Sequence, residues 1–110
     1  AAELKFAFEE SLSNIRLLGT ECAFFMRTDA RFKTEQALQI YSFFETAIET
    51  AMDDLKALLI NIRESDGRLI FNISAESNKD LGGLMPLADS YEFSVGCSSF
   101  TLRFDKEGEV

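Results

Sequence analysis

The chain contains no histidine, one proline and two cysteines in 110 residues, and its basic residues are outnumbered by acids, 11 to 19. Without histidine there is no histidine general base, no Ser-His-Asp or Cys-His arrangement, no His-based zinc site and no phosphohistidine chemistry on this chain. The two cysteines, Cys22 and Cys97, lie far apart in apolar stretches and lack metal-ligand spacing. They read as free thiols of a reducing cytoplasm, with a disulfide as the alternative. A net charge of −8 argues against a nucleic-acid partner, because neutralising phosphates needs a basic surface. It argues equally against docking on an anionic membrane. No apolar run is long enough to span a bilayer, and no basic start followed by a hydrophobic stretch marks a signal peptide.

One hundred and ten residues make one domain with a single core. Leu4, Phe8, Leu12, Ile15 and Leu18 recur every three or four positions and predict a helix with one buried stripe, closed by Gly19 as a left-handed cap. Thr20 to Arg27 alternates, with Cys22, Phe24 and Met26 on one side and Ala23 and Phe25 on the other. Both sides are apolar enough for a strand covered on both faces. Thr34 is a plausible N-cap for a second helix, with Glu35 complementing its dipole. That helix is expected to bury Ala37, Ile40, Tyr41, Phe44, Ile48, Ala51 and Leu55, leaving Ser42, Glu49 and Asp53 outside. Phe24, Phe25 and Phe44 read as core, and Phe43, off the stripe, is the exception that reads as a candidate for an interface with another domain.

Ala57 to Arg63 reads as a strand, Ser65-Asp66-Gly67 as a hairpin turn, and Arg68 to Ala75 as the returning strand with Leu69, Phe71, Ile73 and Ala75 on one face. Glu76 to Ser90, with Asn78, Gly82-Gly83 and Pro86, is the least regular stretch and the place for a mobile loop. Two short strands around Gly96 finish the chain. Hairpin-connected strands with helices on one side give an α+β fold, a two-layer α/β sandwich. The opening Ala1-Ala2 and the charged close from Asp105 to Val110 read as the edges of a fragment of a longer protein.

The order from Asn14 to Ala75 resembles the ATP-binding catalytic domain of bacterial sensor histidine kinases, the GHKL or Bergerat fold. Leu18-Gly19-Thr20-Glu21-Cys22-Ala23-Phe24 looks like the family's first helix end, glycine and first strand. Tyr41 to Ala51 looks like the N-box helix, Ala57 to Ala75 like the two strands after it, and Gly96 to Leu102 like the closing strand. The resemblance implies a mixed sheet with helices on one face, a cytoplasmic location, ATP and magnesium (Mg2+) as cofactors, and a phosphoacceptor histidine carried by a separate helical dimerisation domain. A response regulator is the further partner it implies.

The family's N-box offers a Glu that polarises the nucleophile and, four residues on, an Asn that holds the metal. Glu45 falls on the first position as the implied catalytic base. Glu49 stands where the Asn belongs, as the implied metal ligand, and Asp53 takes the third position. A carboxylate can ligate magnesium, yet it sets another negative charge beside a polyanion. The family's Asp-x-Gly-x-Gly box is replaced by Ser74-Ala75-Glu76-Ser77-Asn78-Lys79, and only Gly82-Gly83 follows. The resemblance leaves Asn78, Gly82 and Gly83 as phosphate-side candidates. The ladder Glu45, Glu49 and Asp53 also reads simply as a solvated helix face, each like-charge pair costing about 0.2–0.5 kcal/mol. Two functions follow: a divergent or degenerate kinase catalytic domain, or a non-enzymatic pseudo-kinase interaction module.

Overall fold

The computed structural model describes residues 2–28, 32–78, 81–94 and 96–105. Helix α1 (Ala2–Arg16) and helix α2 (Thr34–Ala51) lie on one face of a five-stranded sheet. The strands are β1 (Glu21–Met26), β2 (Ala57–Ser65), β3 (Arg68–Glu76), β4 (Ser90–Ser94) and β5 (Cys97–Asp105), in spatial order β1-β2-β3-β5-β4. β1 pairs parallel to β2 and every other pairing is antiparallel, so the sheet is mixed. This is the α+β two-layer sandwich expected from the order of elements.

α1 forms because its apolar residues share one side. Leu4, Phe8, Leu12 and Ile15 are all buried. Phe8 is the hub: its ring lies 5.0 Å from Phe44, 5.5 Å from Tyr41, 5.6 Å from Phe24 and 6.0 Å from Phe71. Burying such a side chain contributes about 1.5–3 kcal/mol, and each well-set aromatic pair roughly 0.5–1.5 kcal/mol more. Leu18, expected on this stripe, is instead 70% exposed, because the helix stops at Arg16 and turns on Gly19 at φ +96°.

The cap of α2 lies one residue before the Thr34 that the sequence suggests. Lys33 donates its backbone N–H to the Gln36 side-chain oxygen at 2.9 Å while its carbonyl accepts from the Ala37 N–H. Lys33 therefore occupies the capping position and Thr34 is the first helical residue, a back-bonded glutamine standing in for a hydroxyl cap. The helix buries Ile40, Phe43, Phe44, Ala47, Ile48 and Ala51, with Ala37 and Tyr41 only half-buried. Phe43 corrects its expected role. It is 4% exposed, with its ring 5.3 Å from Phe100 at an angle of 63°, so it belongs to the core and not to an interface.

The β2–β3 hairpin is closed by Asp66 (φ 52°) and Gly67 (φ 76°) between paired Ser65 and Arg68. Positive φ at both central residues is a type I′ turn, which matches the twist of the strands it joins. Leu69, Phe71, Ile73 and Ala75 face the helices as expected. Part of the stretch where the sequence predicts a loop is a 3-10 helix, Gly82–Leu87, and Leu81 just before it and Leu84 within it are buried in the core.

β1 departs from its expected cover. It is an edge strand, pairing only with β2. Cys22, Phe24 and Met26 pack toward the core, while Phe25 on the other side is 45% exposed, with the Arg27 guanidinium 5.4 Å from its ring centroid. No helix covers that second face among the described residues. None is long and apolar enough to cross a membrane either.

Candidate functional site

Glu45 and Glu49 lie one turn apart on the exposed side of α2, where the apolar stripe leaves them. Asp53 is exposed too, but it sits in the 3-10 turn Met52–Asp54 beyond the helix end. The ladder thus loses its α-helical phase between its second and third rungs. Among the described residues no three acids or cysteines are grouped so as to hold a metal ion.

The residue that reaches across is the neighbouring acid. Asp54 accepts the backbone N–H of Asn78 at Oδ2, 2.7 Å away. Sequence reasoning passed over Asp54. The available signal was a pair of acids at a helix C-terminus, where the dipole disfavours them unless each finds a donor. The Asn78 backbone is therefore engaged, its side chain is exposed, and Lys79 lies outside the described residues.

Gly82 and Gly83 open the 3-10 helix that follows. A Cβ built on Gly83 would meet nothing within 4 Å, so no group approaches that backbone closely enough to require glycine. On either side of the pair, Leu81 and Leu84 point into the core. The structure thus brings Asn78 to Asp54, and leaves Glu45 and Glu49 facing solvent on α2.

The cysteines are free. They sit on β1 and β5 with two strands between, a separation of roughly 14 Å at about 4.8 Å per strand, well beyond disulfide reach. Both line one end-of-sheet cleft of about 450 Å³ with Glu21, Leu59 and Glu76. Burial raises the Cys22 thiol above its ordinary 9.0, opposed by the nearby Arg16 guanidinium.

A second, polar cleft of about 390 Å³ lies on the helix-free face of the sheet. Strand register lays its residues out in rows. Asn61 of β2 pairs with Asn72 of β3, which pairs with Thr101 of β5 and through it with Ser90 of β4. One row along, Arg63 and Arg103 flank Ile70. On the other side Leu59, Ser74, Ser99 and Glu92 form a third row.

The Asn72 amide donates to Ser99 Oγ, to the Phe100 carbonyl and to Thr101 Oγ1 at 3.0–3.1 Å, which fixes its orientation. Asn61 Oδ1 is buried and accepts no hydrogen bond. A buried acceptor left unsatisfied costs about 1–3 kcal/mol. The sequence offered one hint of this face: two asparagines inside strands, where they are disfavoured.

No protein-family model matches the chain, and neither does any curated protein. Among solved structures the chain is similar to the histidine kinase AdeS of Acinetobacter baumannii, with 12% identity and a TM-score of 0.62. The likeness covers 97% of this chain and 63% of the solved AdeS chain, so the chain spans under two thirds of that chain's length. At that identity the likeness establishes the architecture alone: this chain has the fold of a histidine-kinase domain, a two-layer sandwich with a mixed sheet and helices on one face.

Proposed function

We propose that this chain is a degenerate catalytic domain of a two-component sensor histidine kinase, acting in signal transduction chiefly by docking on the helical dimerisation domain of its parent protein or on a response regulator. The observation that carries this reading is the fold shared with AdeS over 97% of the chain. The degeneracy is argued from the site. Glu49 occupies the metal-side position as a carboxylate, and Glu76 and Asn78 stand where the Asp-x-Gly-x-Gly box would be. Each lost hydrogen-bond partner weakens binding by about 1–3 kcal/mol. Two such losses with an added charge clash move a micromolar nucleotide site toward millimolar.

A second reading keeps the chemistry. Glu45 and Glu49 are exposed one turn apart on α2, available to a ligand. Glu45 would act as the base that polarises a nucleophile, Glu49 would hold magnesium, and Asp53, Asn78, Gly82 and Gly83 would flank the nucleotide. ATP, when bound, would supply the phosphoryl group for a histidine on another domain. Titration calorimetry with ADP and magnesium separates the two. Absence of heat at millimolar nucleotide in a folded sample supports the degenerate module. Sub-millimolar binding abolished by Glu45→Ala plus Glu49→Ala supports the enzyme and overturns the first reading.

A further inference from the structure

We propose that the polar cleft on the helix-free face of the sheet binds a small organic molecule that carries an anionic group at one end and a hydrogen-bond donor, such as an ammonium, at the other. The cleft is polarised along the strands. Its first row presents two guanidiniums, Arg63 and Arg103, on a chain whose net charge is −8. Neither guanidinium has an ion-pair partner among the described residues. Their strands are separated only by β3, so the two long side chains can converge on one anion, and guanidinium forks suit carboxylate or phosphate.

The second row holds a buried acceptor with nothing to accept, Asn61 Oδ1, which meets a ligand donor once the Asn61 side chain turns toward the cleft. Its cross-strand neighbour cannot serve it, because the Asn72 amide is committed to Ser99, Phe100 and Thr101. The third row adds the Glu92 carboxylate, which favours a cationic donor at that end. Adjacent rows lie about 7 Å apart, two residues along a strand, so a molecule a few bonds long spans from the arginines to Asn61. A volume of about 390 Å³ suits a ligand of that size. The cleft is on the sheet face opposite α2, and the proposal stands apart from the nucleotide question.

The test is a titration of isotope-labelled protein followed by NMR, with four probes: phosphoethanolamine, γ-aminobutyrate, inorganic phosphate and butyrate. We expect saturable shifts of the Asn61 and Asn72 side-chain amides and the Arg63 and Arg103 Nε–H signals. One of the two bifunctional probes should bind at least tenfold tighter than its counterpart lacking the ammonium, and which one decides between phosphate and carboxylate. Arg63→Gln and Arg103→Gln should each weaken that binding tenfold or more. Asn61→Leu should erase the advantage of the ammonium, whereas Asn61→Asp, which still accepts, should keep it. The amide spectrum of each variant checks folding. The proposal is overturned if no probe saturates, if shifts spread evenly over all arginines, or if binding is unchanged in both arginine variants.

Discussion

The backbone N–H of Asn78 donates to Oδ2 of Asp54 at 2.7 Å, fastening the segment after β3 to the turn that ends α2. Beside it, the Lys56 N–H donates to the Glu76 carbonyl at 2.8 Å. Two links thus hold the place where the resemblance sets the nucleotide-contacting box. Asp54→Ala removes the first of them. We expect a loss of about 1 kcal/mol in unfolding free energy and faster exchange of the Asn78 amide. Unchanged exchange would show that the carboxylate does not hold the segment.

Phe43 separates core from interface cleanly. Its ring is set edge-on against Phe100, and Phe43→Ala should cost about 3–5 kcal/mol, measured by denaturant unfolding. That is a large share of a small domain's total stability. A residue held in reserve for a partner domain would lose under about 0.5 kcal/mol on the same change.

The hairpin turn gives a backbone test free of packing. A Cβ on Gly67 meets no neighbour within 4 Å, yet φ is +76°. Gly67→Ala should therefore cost about 1 kcal/mol through conformation alone. Asp66→Asn should be nearly neutral, since asparagine accepts the left-handed region readily. Unfolding midpoints of the two variants check the pair.

Cys22 ties stability to alkaline pH. Burial disfavours the thiolate, so the folded-state pKa is raised above 9.0. The group is protonated in both states below the unfolded value, where its contribution is fully present. As pH rises through 9 and past the folded pKa, the unfolded chain ionises first and that contribution is lost. Unfolding free energy should fall between pH 8 and 10, and Cys22→Ala should flatten that fall. An unchanged slope in the variant would remove Cys22 as its source.

Local patterns carried the fold into view. Four apolar residues at helical spacing placed α1, and Asp66-Gly67 fixed both the hairpin and its register. The misses have tertiary causes. Phe43 sits off the stripe by periodicity, but the closing strand brings Phe100 to meet it, a contact 57 residues distant that no window sees. β1 is apolar on both sides because Phe25 stands at a sheet edge under Arg27, not because a second layer covers it. The site was less legible than the fold. The acids of α2 stand out in sequence and remain solvated in the structure. The asparagine and arginine rows become a cleft only when four strands align them, so no stretch of sequence displays it.

The parallel pairing of β1 has a consequence for how the molecule comes apart. β2, β3, β5 and β4 are joined in antiparallel pairs, two of them across connections of two residues, whereas β1 reaches β2 only after the whole of α2 has been threaded between them. Closing that long excursion is the entropically dearest step of assembly, so β1 should be the last strand to join and the first to peel away. Transient opening would then begin at Glu21–Met26, with β1 amides exchanging before those of β3, and would bare the Phe24 and Met26 side chains before the rest of the sheet gives way.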